Sequence, residues 1–94
     1  MDEFKKLVKI SMKLLNEADG YADYYKECPD SDMRSLYYSL GSAHLDLYNK
    51  VRSQIASYLN KLMRDKPDEH VDIIWNFIKS TEEDLHEKIM NKMK

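Results

Sequence analysis

Apolar residues recur every three or four positions along nearly the whole chain, which is the spacing of helices that bury one face. Only two prolines and two glycines occur in 94 residues, and the prolines, Pro29 and Pro67, lie where the apolar pattern breaks. The pattern therefore predicts three long helices over about residues 2–28, 31–64 and 67–93. The connecting segments are short, so neighbouring helices should run antiparallel.

The spacing also predicts which side chains each helix buries. In the first helix they are Phe4, Leu7, Val8, Leu14, Leu15, Ala18, Tyr21, Ala22 and Tyr25. In the second helix they are Met33, Leu36, Tyr37, Leu40, Ala43, His44, Leu47, Val51, Ile55, Tyr58, Leu59 and Leu62. In the third helix they are Val71, Ile74, Trp75, Ile78, Leu85, Ile89 and Met93.

These elements predict an all-α fold: one domain over residues 1–94, built as a three-helix bundle or as a long hairpin with a third helix beside it. A chain of this size buries only about 60–65% of its unfolded surface. We therefore expect a homo-oligomer, with Ile55, Tyr58, Leu59 and Leu62 at the far end of the long second helix as the associating surface.

Charge, hydropathy and cysteine content limit the partners and the cellular location expected for this chain. The 15 basic and 17 acidic residues nearly cancel, which argues against a nucleic-acid partner. No stretch approaches the ~20 apolar residues of a membrane span, so we expect no membrane partner. Lysines at 5, 6, 9 and 13 interrupt any signal-peptide core, and the single Cys28 has no partner for an internal disulfide. A cytoplasmic location is the simplest interpretation.

Tyrosine is concentrated around the first turn. Five of the seven tyrosines lie within about three helical turns of Pro29, and a sixth, Tyr48, lies about five turns from it. Tyr25 and Tyr37 follow the apolar faces and are interpreted as packing within the hairpin. Tyr24 and Tyr38 lie off those faces, so they are the predicted protein-binding residues, with packing of the hairpin as the alternative.

Four polar side chains near the apolar faces raise the question of a metal site: Glu17, His44, Glu82 and His86. Helical bundles build di-iron sites from inward glutamates and Glu-x-x-His pairs. Such a site needs this pair on two helices, and the chain has the spacing only once, at Glu83-Asp84-Leu85-His86. Cys28 at a helix C-terminus is a poor nucleophile. We predict no catalytic residue, no cofactor and no metal, and these four side chains are the candidates should a metal bind.

A resemblance to a known family rests on the middle of the chain. The segment from Leu14 to Val51, with Tyr37-Tyr38-Ser39-Leu40-Gly41 at its centre, resembles a family of small helical proteins of tailed phages and prophages. Trp75 matches an aromatic residue early in the third helix of that family. The resemblance implies a shortened ferritin-like hairpin.

The same resemblance implies a function. The family's Glu-x-x-His falls on His44-Leu45-Asp46-Leu47, so both metal-binding residues are replaced. The expected protein is then a non-catalytic phage or prophage interaction protein that acts in particle assembly or binds a host protein, in the bacterial cytoplasm or on the virion. The alternative is a ferritin-like metal-binding protein with a degraded site.

Overall fold

The computed structural model describes residues 2–94 and places them in three helices: α1 (Asp2–Glu27), α2 (Ser31–Asp65) and α3 (Glu69–Lys92). The all-α prediction is confirmed, and the described residues contain no strand. Met1, the first residue of the predicted domain, lies outside them. The 35 residues of α2 extend about 52 Å at 1.5 Å per residue, so α2 spans the 53 Å long axis of the molecule.

Both turns end in an aspartate that caps the next helix. The Asp30 carboxylate accepts from the backbone N–H groups of Asp32 (2.9 Å) and Met33 (3.3 Å). The predicted start of the third helix at Pro67 is wrong. The helix begins at Glu69, because the Asp68 carboxylate accepts from the N–H of His70 at 2.9 Å and a lysine before the proline has no such acceptor.

Contacts between the helices fix their directions. Phe4 of α1 packs with Ile55 near the end of α2, whereas the Tyr25 ring of α1 lies 5.4 Å from that of Tyr38 near its start. The two helices are therefore antiparallel. α3 returns beside α1 in the same direction, since Lys92 near its end contacts Asp19, and α1 packs more extensively on α2 than on α3.

The core has two apolar clusters. The lower core, at the end with the α2–α3 turn, contains Phe4, Ile55, Leu59 and Val71. The upper core, nearer the α1–α2 turn, contains Leu15, Ala18, Ala22, Leu45, Tyr48, Ile89 and Met93. Two polar side chains, Ser11 and Glu82, are also fully buried.

The buried side of α2 differs from the predicted one. Leu45 and Tyr48 are buried although they lie off the predicted stripe, because they are turned towards α3: Leu45 packs with Ile89, and Tyr48 stacks on His86. Met33, Leu36 and Leu47 are exposed although the stripe contains them. The spacing of apolar residues locates one face of a helix, but contact with a second neighbouring helix shifts the range of residues that are buried.

Two further expectations about buried surface need correction. In α3, Ile74 is 47% exposed, whereas Glu82 is buried. At the far end of α2, Ile55 and Leu59 are buried by the starts of α1 and α3, and Tyr58 and Leu62 are half-buried. The surface predicted for self-association is thus already used inside one chain.

α3 ends well before the α1–α2 turn. The side chain of Met93, just after α3, packs beside Gly41, where a Cβ would lie 3.2 Å from its terminal methyl group. Tyr21 of α1 lies at the same level. The hairpin segment beyond this level, residues 22–40, is a two-helix projection about 10–15 Å long, which we call the tip.

Candidate functional site

Four tyrosines form two pairs across the tip, with the rings of each pair packed at a tilt of 31° or 59°. The rings of Tyr24 and Tyr37 are 5.2 Å apart between centroids, and those of Tyr25 and Tyr38 are 5.4 Å apart. Tyr24 is 59% exposed and Tyr38 is 44% exposed, as their off-stripe positions predicted. Each exposed ring leans on a half-buried one, so the exposed rings also pack within the hairpin.

Arg34 belongs to this surface, and sequence reasoning missed it. Its Nε donates to the backbone oxygen of Tyr25 at 3.2 Å, and its guanidinium carbon lies 4.9 Å from the Tyr25 ring centroid. This cation–π stacking holds an exposed charge beside the aromatic pairs. The sequence signal that could have found Arg34 is a basic residue one helical turn into α2, separated by only a short loop from the tyrosines at the end of α1.

A cleft opens beside these groups. It has a volume of ≈ 590 Å³ and is lined by Tyr25, Ser31, Arg34, Ser35, Tyr38 and Ser39. The hydrogen bonds found among residues 2–94 use only Nε of Arg34, so its two terminal nitrogens keep their donors for another molecule. The cleft therefore combines aromatic faces, serine hydroxyls and one oriented cation.

The four candidate metal ligands lie in two separate places. His44 and Glu17 form one pair, with Nε2 of His44 2.9 Å from Oε2 of Glu17. Nδ1 of His44 lies 2.8 Å from the backbone oxygen of Leu40. Both neighbours accept hydrogen bonds, so an imidazolium satisfies both contacts, whereas a neutral ring donates to only one.

Glu82 lies apart from that pair, in the buried interior. Ser11 Oγ is 2.9 Å from Oε2 of Glu82 and also 2.9 Å from the backbone oxygen of Val8. One hydroxyl proton serves only one of these acceptors, whereas a protonated Glu82 donates to Ser11 and frees the Ser11 proton for Val8. Burial raises the pKa of the Glu82 carboxyl, against the opposing effects of the Ser11 hydrogen bond and the Arg52 charge.

His86, the last candidate, stacks on Tyr48 with centroids 5.7 Å apart. Tyr48 in turn accepts a 2.8 Å hydrogen bond from Nη1 of Arg52, whose Nη2 donates to Glu83 at 2.7 Å. Burial, and secondarily the Glu82 charge, raise the pKa of the Tyr48 hydroxyl. These contacts hold α2 against α3, and they give the polar side chains between the two helices their partners.

The donor set does not fit the di-iron site that a ferritin-like resemblance implies. Such a site needs glutamates and histidines from facing helices around one point. Here Glu17 and His44 already bond to each other, and Glu82 bonds to Ser11. Within residues 2–94, no three His, Cys, Asp or Glu side chains converge as a metal would require.

Comparisons with known proteins add no relative. A scan against protein-family models, a search of curated proteins and a search of solved structures each return no match. In the described part of the chain, no helix combines the length and apolar character needed to cross a membrane.

Proposed function

We propose that this chain is a non-catalytic interaction protein that binds a protein partner through its tip. The observation that carries the proposal is the two pairs of packed tyrosine rings, with Arg34 beside them, on the hairpin segment that α3 leaves uncovered. Exposed tyrosine and arginine contribute more binding energy per residue than most side chains. The upper and lower cores do not include these side chains.

The chemistry of the tip indicates the kind of partner. The free donors of Arg34 suit a carboxylate, which a guanidinium binds through two parallel hydrogen bonds. The rings of Tyr24 and Tyr38 offer apolar faces on either side. The partner segment we propose therefore presents an aspartate or glutamate next to an apolar side chain.

The biological setting is part of the proposal. The resemblance of residues 14–51 to tailed-phage proteins supports a phage or prophage origin, with a role in particle assembly or in binding a host protein in the bacterial cytoplasm. Genomic neighbours test this part directly. Capsid or portal genes beside this gene would favour assembly, and early genes would favour host control.

Site-specific photo-crosslinking identifies the partner. A photoreactive phenylalanine analogue at position 38 should crosslink one protein in infected or lysogenic cells. The same analogue at Leu47, which is 48% exposed on the body of the molecule, provides the matched control. Crosslinking of the same protein with equal yield from both positions would contradict a site at the tip.

Affinity measurements on the identified partner then test the residues. Changing Tyr24 and Tyr38 together to serine, or Arg34 to glutamine, should weaken binding by about tenfold or more. Leu47→Ser should change the affinity by less than about twofold. Unchanged binding by both tip variants would remove the proposal. We propose no metal-dependent function, because the required donors do not converge, and elemental analysis of protein purified without chelator checks this.

A further inference from the structure

The outward side of α3 carries the two most exposed large apolar side chains of the described residues. Phe77 is 73% exposed and Ile73 is 65% exposed, one helical turn apart. Ile74, 47% exposed, lies three residues before Phe77 and extends the same surface. We call these three residues the α3 patch. It is separate from the tip and lies near the α2–α3 turn.

The total surface of the chain is large for its mass. It exposes 6588 Å². A compact monomer of 11.2 kDa is expected to expose about 5,700 Å², so the excess is about 900 Å². A standard protein interface buries about 800 Å² on each partner. One ordinary interface would therefore bring the exposed area to that of a compact protein.

We propose that two copies of this chain associate through the α3 patch as a two-fold symmetric dimer with antiparallel α3 helices. In this arrangement Phe77 of each copy packs on Ile73 and Ile74 of the other. A two-fold axis brings one surface onto itself, so a patch with a large ring at one end and branched side chains at the other complements its own copy.

The polar residues on either side of the patch are compatible with a second copy as the occupant. When Phe77 lies opposite Ile73 of the second copy, the register within α3 sets Glu69 opposite Thr81 and His70 opposite Ser80. The symmetry repeats these pairs at the other end of the contact. All four residues are exposed, and neither pair brings two like charges together.

This dimer would make the protein bivalent, and that consequence rests on the proposed function of the tip. The patch lies towards one end of the 53 Å long axis and the tip lies at the other. Antiparallel α3 helices therefore point the two tips in opposite directions, about 80 Å apart at 1.5 Å per residue. Two partner molecules would be held at the ends of one rod.

Sedimentation equilibrium across a concentration series into the high micromolar range tests the dimer. The unaltered protein should be dimeric at the upper end. Phe77→Asp should raise the dimer dissociation constant by about 30-fold or more. Met90→Asp is the matched control, since Met90 is also on α3 and 44% exposed but lies on another side of the helix. It should leave the constant within about twofold.

A crosslink tests the register. In a Cys28→Ser background, an equal mixture of Glu69→Cys and Thr81→Cys proteins should form a disulfide-linked pair, because the register sets these two positions opposite each other. A mixture of Glu69→Cys and Met90→Cys proteins should not.

A strict monomer throughout the series would overturn the proposal, as would equal effects of Phe77→Asp and Met90→Asp. Failure of the Glu69→Cys and Thr81→Cys crosslink in a protein that still dimerises would overturn the antiparallel register. Thermal melts of each variant show that folding is retained. Phe77→Asp leaves the tip intact, so this variant should still bind one partner molecule per chain. Failure of the dimer can therefore be distinguished from failure of the proposed function.

Discussion

The two ends of the α1–α2 hairpin show how differently similar apolar residues are used. At the end covered by α3, Ile55 is fully buried and Leu59 is 7% exposed. At the tip, Leu36 is 48% exposed and Tyr38 is 44% exposed, although α2 continues without a break between the two regions. For these residues, packing against α3 separates the core end of the hairpin from the tip, since α1 and α2 extend through both.

The boundary between the two regions is a close contact. The side chain of Met93, just after α3, packs against Gly41. A glycine at this position leaves room beside the α2 backbone for the Met93 methyl group. Gly20, the other helical glycine, has open space where a Cβ would lie. A neighbouring side chain therefore packs closely at Gly41 and not at Gly20.

The largest expected contrast between the regions is in stability. Ile55→Ala in the lower core should lower the free energy of unfolding by about 2–5 kcal/mol, because it leaves a cavity where no side chain can move in fully. Leu36→Ala at the tip should change it by less than about 0.5 kcal/mol. Urea unfolding followed by circular dichroism measures both. Equal losses would show that the tip is covered in solution.

A second prediction concerns the buried carboxyl group of the covered region. Glu82→Gln should stabilise the protein at neutral pH by about 1–2 kcal/mol, because the amide can donate to Ser11 as a protonated carboxyl would, without a buried charge. Glu83→Gln is the matched control. Glu83 is half-exposed and binds Arg52, so its loss should be neutral or slightly destabilising.

The gain from Glu82→Gln should depend on pH in a defined direction. The pKa of Glu82 is raised in the folded chain, so its stabilising contribution is fully present below the ordinary glutamate pKa. It is lost as the pH rises through the raised folded pKa. The advantage of Glu82→Gln should therefore be small in acid and grow towards neutral pH. An advantage that is constant or shrinks over this range would show that Glu82 stays ionised in the folded chain.

Helix number, order and ends were largely predictable, because helix-breaking residues and capping aspartates act locally. Pro29 and Asp30 illustrate this at the first turn. The buried side of α2 was not predictable in detail. Leu45 and Tyr48 are buried through contact with α3, which lies far away along the sequence. Periodicity within one helix contains no information on the direction of its second neighbour.

The candidate site was predictable in part for the same reason. The exposure of Tyr24 and Tyr38 follows from their positions on their own helices, and it is confirmed. Their packing on Tyr37 and Tyr25 depends on the register between α1 and α2. The placement of Arg34 over an aromatic ring depends on the shape of the turn. Neither register nor turn shape is set by spacing alone.

The two glycines provide a third and smaller test. Gly20→Ala should stabilise the protein by about 1 kcal/mol, since alanine favours a helix interior and the added Cβ meets open space. Gly41→Ala should give less, because the Met93 methyl group must move by a few tenths of an ångström. Thermal denaturation of both variants compares them. A larger gain at Gly41 would mean that α3 does not end against α2.

The smallest expected effects lie in the tip itself. Double-mutant cycles to alanine should give coupling energies of about 0.5–1.5 kcal/mol for Tyr24 with Tyr37 and for Tyr25 with Tyr38. The coupling energy of Tyr25 with Tyr38 should fall when Arg34 is changed to glutamine, because the guanidinium also packs on the Tyr25 ring. The coupling energy of Tyr24 with Tyr37 should not change.

Tyr24 with Tyr38 provides the control cycle, because these two rings do not form a pair and should couple by less than about 0.3 kcal/mol. Coupling in both packed pairs would mean that the tip holds its aromatic surface in place before any partner arrives. A partner would then spend little of its binding energy on ordering side chains. Zero coupling in both packed pairs would instead make the tip a set of independent, mobile rings, and the ordered surface on which the proposed binding depends would be absent.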